Sequence, residues 1–321
     1  MSQHWATMKE AGALSGMRVM VFIYSVLGRA VFAVVLVPVM GYFFLRRTSA
    51  RRASMDFLRK VKRSYPEKFG NRSLTWLSFR HFLSFGHSLL DKYLARAQSP
   101  TNIVLDPEEE RILLDLLSSG RGGLFIGSHF GNLEYSHVLS KRHPDMVLNV
   151  LMYDQHAENF SSLIKDTATE SRMNFIQATD IDFELALTLK EKVQRGEWVL
   201  IAGDRVPIGE GKRVCHATFF GEKANFPVGP YALANLLRCP VYLLHCFQVE
   251  DHYQLRMEFF LEEFRSSRKN RQQAYEGAAR KFARALEKQV VQFPLQWFNF
   301  YDFWGSQDEK HMIANGRSSH D

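Results

Sequence analysis

The chain has 321 residues, 46% of them hydrophobic, and a formal net charge of +7. That length supports one large core, or one domain with an appended segment, and 26 phenylalanines suggest a thick core or contact with something greasy. A basic balance suits nucleic acid, an anionic membrane surface or an acidic substrate, and with no zinc-finger, RNA-recognition or helix-turn-helix signature a nucleic-acid partner is set aside.

Val19 to Leu45, VMVFIYSVLGRAVFAVVLVPVMGYFFL, carries a single charge, Arg29. It is long enough to span a bilayer, and no small-residue cleavage site follows it, which argues against a signal peptide. A buried core helix passes the same length test. Arg29 leaves open whether the segment spans or lies at the interface. Arg46, Arg47, Arg51, Arg52, Arg59, Lys60, Lys62 and Arg63 follow. Under the positive-inside rule that flank is cytoplasmic, and it attracts anionic lipid. Residues 1–48 are therefore read as a membrane anchor.

From Ser49 to Ala97 apolar residues recur at helical spacing, as in Phe79, Phe82, Leu83, Gly86 and Leu90. Asp106 before Pro107 and three glutamates is an N-cap followed by a first turn. GLFIGSH reads as a buried strand ending in a small-residue turn. Helix is expected from Asn132 to about Lys141, strand from Val147 to Met152, helix from Glu158 to Ser171 and strand from Asn174 to Gln177. A helix at Asp182 to Arg195 and a strand at Trp198 to Ala202 follow. Pro240 to Val249 and Tyr253 to Phe260 look like paired strands, and Asn270 to Phe293 is an amphipathic helix. This alternation predicts an α/β fold, a mixed central sheet flanked by helices, behind the N-terminal membrane-associated helical segment. Cys215, Cys239 and Cys246 are odd in number and lack C-x-x-C spacing, so they read as reduced thiols. His137, His143 and His156 show no metal-ligand spacing, and no metal site is expected.

The stretch FIGSHFGNLE places His129 and Glu134 where a strand passes into a helix. That junction lies at the carboxyl edge of the sheet, where ligands of α/β proteins collect. A carboxylate on one imidazole nitrogen fixes the tautomer and leaves the other nitrogen as a base. By spacing alone, a structural histidine capping the helix, beside a solvated glutamate, is the competing reading.

The anchor, the basic flank and the strand–His–x4–Glu–helix unit together resemble the lysophospholipid acyltransferase superfamily. The resemblance is strongest to its late acyltransferases of lipid A assembly. It is carried by GSHFGNLE at 127–134, AGDRVPIG at 202–209, FFGEKANFPVGPYALA at 219–234 and PLQWFNFYDFW at 294–304. GDRVPIGEGK at 203–212 replaces the Phe–Pro–Glu–Gly–Thr block of lysophospholipid-type members, so glycerol-phosphate recognition is not carried over. The acidic, aromatic tail fits acyltransferases of aryl-polyene-type or other glycolipids as well as those of lipid A.

The resemblance implies a glycerolipid-acyltransferase-like domain at 49–305 and a flexible tail at 306–321. It implies acyl transfer from a thioester to a lipid hydroxyl at a bacterial inner membrane, with the catalytic domain cytoplasmic. His129 would be the general base and Glu134 its orienting acid, with no acyl-enzyme. Ser128, Asn132, Asp204 and Arg205 would bind substrate, and backbone amides from Phe130 to Asn132 would meet the oxyanion. Phe219, Phe220 and Gly221 would line the acyl pocket, with core packing as the alternative. Asp204 could equally cap the sheet, Lys212 and Arg213 could hold phosphate or be solvated, and Trp297 to Trp304 could rest at the membrane interface or in the core. No cofactor is expected beyond acyl carrier protein or coenzyme A as the donor, and partners would be that donor, a lipid or glycolipid acceptor and an anionic membrane. A non-catalytic lipid-binding protein and a thioesterase are the other readings. The absence of a G-x-S-x-G elbow weighs against the usual hydrolase fold.

Overall fold

The computed structural model describes residues 13–97, 103–152, 172–177, 183–206 and 214–305. The helix expected at Glu158 to Ser171, the tail at 306–321, and Lys212 and Arg213 lie outside them. Helix α1 (Ala13–Arg46) holds the apolar N-terminal stretch. Within it Val19–Arg46, 28 residues, is long and apolar enough to cross a membrane by length and composition. Its backbone leaves helical geometry at Gly28 (φ 79°, ψ 177°), so two helical halves meet just before Arg29. Phe32, Leu36, Met40 and Phe44, spaced by four, form one buried stripe against Phe82 and Leu90. Phe22, Val26, Leu27, Val34 and Leu45 remain exposed.

The helical region expected from Ser49 to Ala97 is two helices, α2 (Thr48–Ser64) and α3 (Leu74–Ala97), parted by a short 3₁₀ turn at Pro66–Lys68. Pro66 supplies the reason. It lacks an amide hydrogen and pushes Tyr65 out of helical space, to φ −138° and ψ 70°. After β1 (Ile103–Leu105), α4 (Pro107–Ser118) starts as its sequence demands, the Asp106 side chain accepting from the Glu108 amide at 2.9 Å.

The core strands are β2 (Gly123–Gly127), β3 (Leu148–Met152), β4 (Met173–Gln177) and β5 (Trp198–Ala202). Helices α5 (His137–Arg142) and α6 (Phe183–Gln194) fall between them. A hairpin, β6 (Val214–Phe219) and β7 (Glu222–Pro227), precedes α7 (Gly229–Leu237). Then come β8 (Val241–Val249), β9 (His252–Leu261) and α8 (Arg271–Gln292). The seven-stranded sheet runs β1-β9-β8-β2-β5-β3-β4. It is parallel from β8 to β4, and its mixed character comes from the antiparallel β8–β9 pair, as expected.

Both faces are covered, which is why the central strands are apolar throughout. Leu124, Ile126, Val199 and Ile201 face a core shared with α2, α6, α7 and α8, while Phe125, Trp198 and Leu200 face α4 and α5. The β6–β7 hairpin was not anticipated, because FFG reads as a pocket wall. It is the turn itself: Phe220 and Gly221 both take positive φ (49° and 77°), the two-residue geometry that matches strand twist.

Candidate active site

Register across two strands builds the site. β2 and β5 pair in parallel with Gly127 opposite Ala202, and the Gly203 amide donates to the Gly127 carbonyl at 2.9 Å. Two residues further along each chain, at the carboxyl edge of the sheet, His129 therefore meets Asp204. The contact is double. His129 Nδ1 lies 2.8 Å from Asp204 Oδ1, and the His129 backbone amide donates to Oδ2 at 2.9 Å. Trp297 Nε1 donates to the same Oδ2 at 3.0 Å.

An ionised carboxylate only accepts, so Nδ1 carries the hydrogen and Nε2 is left as an acceptor. The His129 side chain is 34% exposed and that of Asp204 only 1%, so the ring is reachable while its partner is sealed off. Burial, then the Arg205 charge, lower the pKa of His129 from 6.5; Asp204 opposes them and Lys92 adds to them. The ring is accordingly neutral at pH 7. Burial alone would raise the Asp204 carboxyl, but the His129 ring, Arg205 and the His129 amide outweigh it and hold it at about 2.

Glu134 is the acid expected to orient the ring. The carboxylate hydrogen-bonded to the His129 ring is Asp204, and Glu134 Oε1 lies 2.8 Å from Lys92 Nζ. Backbone geometry explains the exchange. Gly131 turns at φ 72°, Asn132 is extended, and residues Leu133–Ser136 form a 3₁₀ turn, so α5 begins only at His137. Glu134 is thus not in the first turn of an α-helix folding back on the ring.

The loop between them is held from both sides. Phe130 bridges Trp297, and the His129 carbonyl accepts from the Phe298 amide at 3.0 Å. The Gly131 amide donates to the Gln296 carbonyl at 2.7 Å and the Asn132 amide to that of Cys246 at 2.6 Å. Two of the three amides expected to meet an oxyanion are therefore committed to backbone carbonyls. Phe130 N keeps a long contact, 3.4 Å, to Ser128 Oγ. Ser128 and Asn132 are buried and serve the loop: Asn132 Nδ2 reaches the Ser88 carbonyl at 3.5 Å.

Arg205 stands beside the pair, its Nη2 donating to the Phe298 carbonyl at 3.0 Å and its guanidinium 5.8 Å from the Tyr301 ring centre. Phe219 and Phe220 are fully buried, packed on Trp297 and on Phe57 respectively, which is core packing. The C-terminal aromatics follow suit. Trp297, Phe298 and Phe303 are buried, so this end of the motif lies in the core. The structure thus gathers His129, Asp204, Arg205 and the Glu134–Lys92 pair at one sheet edge.

The sequence reading gives Lys92 no role and places Trp297 only at the membrane interface or in the core, not at the site. They lie 42 residues before Glu134 and 93 after Asp204, beyond any local pattern. Trp297 sits inside PLQW, so the motif marked it without revealing its partner.

No match is found among the curated proteins. A family model, bacterial lipid A biosynthesis acyltransferase, matches residues 82–305. That stretch holds the whole His129–Asp204–Trp297 constellation, and the chain belongs to this acyltransferase family.

Proposed function

We propose that the chain is a membrane-bound O-acyltransferase that moves a fatty acyl group from a thioester to a hydroxyl of a lipid or glycolipid. The observation that carries this reading is the accessible His129 ring, held in one tautomer by a buried, ionised Asp204. As the acceptor oxygen attacks the thioester carbonyl, Nε2 takes the hydroxyl proton. The tetrahedral oxyanion collapses, the C–S bond breaks, and the imidazolium returns the proton to the departing thiolate. No acyl-enzyme forms. Asp204 positions the ring and stabilises the imidazolium. Arg205, near enough to lower the pKa of His129, supplies positive charge for the oxyanion. Glu134 holds Lys92 against the loop.

Membrane attachment is supported by α1, which is long and apolar enough to cross a membrane and leaves Phe22, Val26, Leu27, Val34 and Leu45 exposed. We place the protein at the bacterial inner membrane, catalytic domain cytoplasmic, following the basic flank. Part of that flank is already engaged: Lys60 and Arg63 pair with Glu222, and Arg59 with Asp56. For the donor, acyl carrier protein is favoured over coenzyme A, because Arg271, Arg280, Arg284 and Lys288 are exposed along α8 and suit an acidic partner.

The test supplies the detergent-solubilised full chain with a labelled acyl thioester and a bacterial lipid extract. Label moving into lipid, heavier by one acyl chain, is the expected result. Label released only as free fatty acid would identify a thioesterase, and no release at all would leave a lipid-binding role.

A further inference from the structure

Apart from the His129 site, a cavity of about 670 Å³ opens between α1, the Pro66–Lys68 turn, α3 and the Pro294–Gln296 segment. Four permanent cations line it: Arg29, Lys68, Arg72 and Arg80, joined by His87. No carboxylate is among the lining residues. The buried Asp91 lies 3.9 Å from Arg29, and Glu67 flanks Lys68 in an adjoining groove. Lys68, Arg72 and Arg80 are exposed at the cavity mouth, and the three guanidiniums offer the forked donors that fit phosphate oxygens.

The rest of the wall mixes apolar side chains, notably Phe69, Leu77, Leu83, Phe293 and Leu295, with the polar Ser84, Gln248, Gln292 and Gln296. Ala33 belongs to the lining too, and the residue after it, Val34, is exposed on the apolar surface of α1. An occupant could therefore set an anionic head among the arginines and lay an apolar body along α1. The inner wall touches the catalytic loop, because the carbonyl of Gln296 accepts from the Gly131 amide.

We infer that this cavity binds the phosphate headgroup of a membrane lipid, on the α1 side of the catalytic loop. The inference rests on the membrane placement of α1 but requires no acyl transfer. Free phosphate shares the headgroup chemistry, and only the lipid engages the apolar wall.

The test is a titration of the full chain, in neutral detergent micelles, with phosphatidic acid labelled on its acyl chain and read by fluorescence anisotropy. Labelled diacylglycerol is the uncharged comparison, and inorganic phosphate and glycerol phosphate are the soluble competitors. The expected result is saturable binding of phosphatidic acid alone, weakened at least tenfold by Arg72→Gln with Arg80→Gln. Arg29 is left intact because it also pairs with Asp91. Arg268→Gln with Lys269→Gln, on a distant exposed loop, should leave binding unchanged, as should His129→Ala, so this result is independent of the transfer chemistry. Equal weakening by the distant pair would overturn the site in favour of general surface charge. Competition by inorganic phosphate as strong as by the lipid would overturn the lipid assignment. Phosphatidic acid failing to bind, with an acidic carrier protein bound through Arg72 and Arg80 instead, would overturn it as well. Gel filtration and circular dichroism confirm that each variant is folded.

Discussion

Asp204 holds His129 by two bonds at once, one to the ring at 2.8 Å and one to the backbone amide at 2.9 Å. Neither residue can turn without breaking one of them. Asp204→Asn keeps the shape but can present its amide NH₂ to Nδ1, which selects the wrong tautomer. A fall in kcat of about 10²–10⁴-fold is expected, with little change in KM or thermal midpoint. Steady-state kinetics beside a melting curve separate this from simple unfolding.

Glu134→Gln should cost less than Asp204→Asn, about tenfold, because Glu134 acts through Lys92 and the loop. Comparing both variants at saturating donor decides between two candidate orienting acids. A larger loss in Glu134→Gln would restore Glu134 to the role read from sequence.

The pH profile follows from the lowered His129 pKa. On the proposed mechanism transfer needs the neutral ring, so kcat/KM should fall as pH drops through a value below 6.5 and be flat above it. In Asp204→Asn the charge that raises that pKa is gone, so the acid limb should move to lower pH. A limb that moves upward would contradict the assignment.

Gly131→Ala should disable the loop. At φ 72° an added Cβ would lie 2.0 Å from the Cys246 carbonyl oxygen, a backbone atom that cannot step aside. A loss of at least about 2 kcal/mol of stability, together with loss of activity, is expected by comparison with other strained core substitutions. Denaturant midpoints of the detergent-solubilised chain check it.

His81 makes a pH-dependent contribution to stability. It is wholly buried, its ring receiving a hydrogen bond from Ser54 and donating to the Trp297 carbonyl, which requires the neutral form. Burial lowers its pKa to about 3 from 6.5. Between those values the unfolded chain binds a proton that the folded chain refuses. Stability is therefore full above 6.5 and declines as pH falls, by up to about 1.4 kcal/mol per unit for one such group. His81→Gln should show a shallower decline between pH 6.5 and 4.5. Identical slopes would contradict it.

Legibility in the sequence tracked the range of the interaction. The strand at Trp198–Ala202 is legible to the residue, and the cap at Asp106 with its chemistry, because both signals are local. The contact between Asp204 and the His129 ring is hidden from the sequence for a related reason. Five residues of spacing suggest a helical turn, but Gly131 and the extended Asn132 redirect the chain, and only the β2–β5 register brings Asp204 to the ring. Phe219 and Phe220 show the same limit. An aromatic pair looks alike in sequence whether it walls a ligand or closes a core hairpin, and which of these holds depends on Trp297 and Phe57 from distant segments.

The central claim is that His129 is the base in direct transfer to a lipid. It is tested most directly by comparing single turnovers of wild type and His129→Ala, both full length, with labelled acyl carrier protein and the bacterial lipid extract. The account predicts a rate at least about 10³-fold lower in the variant, an unchanged melting curve, and no label covalently held by wild-type protein at any time. Unchanged turnover in His129→Ala, or label trapped on the wild-type chain, would contradict it.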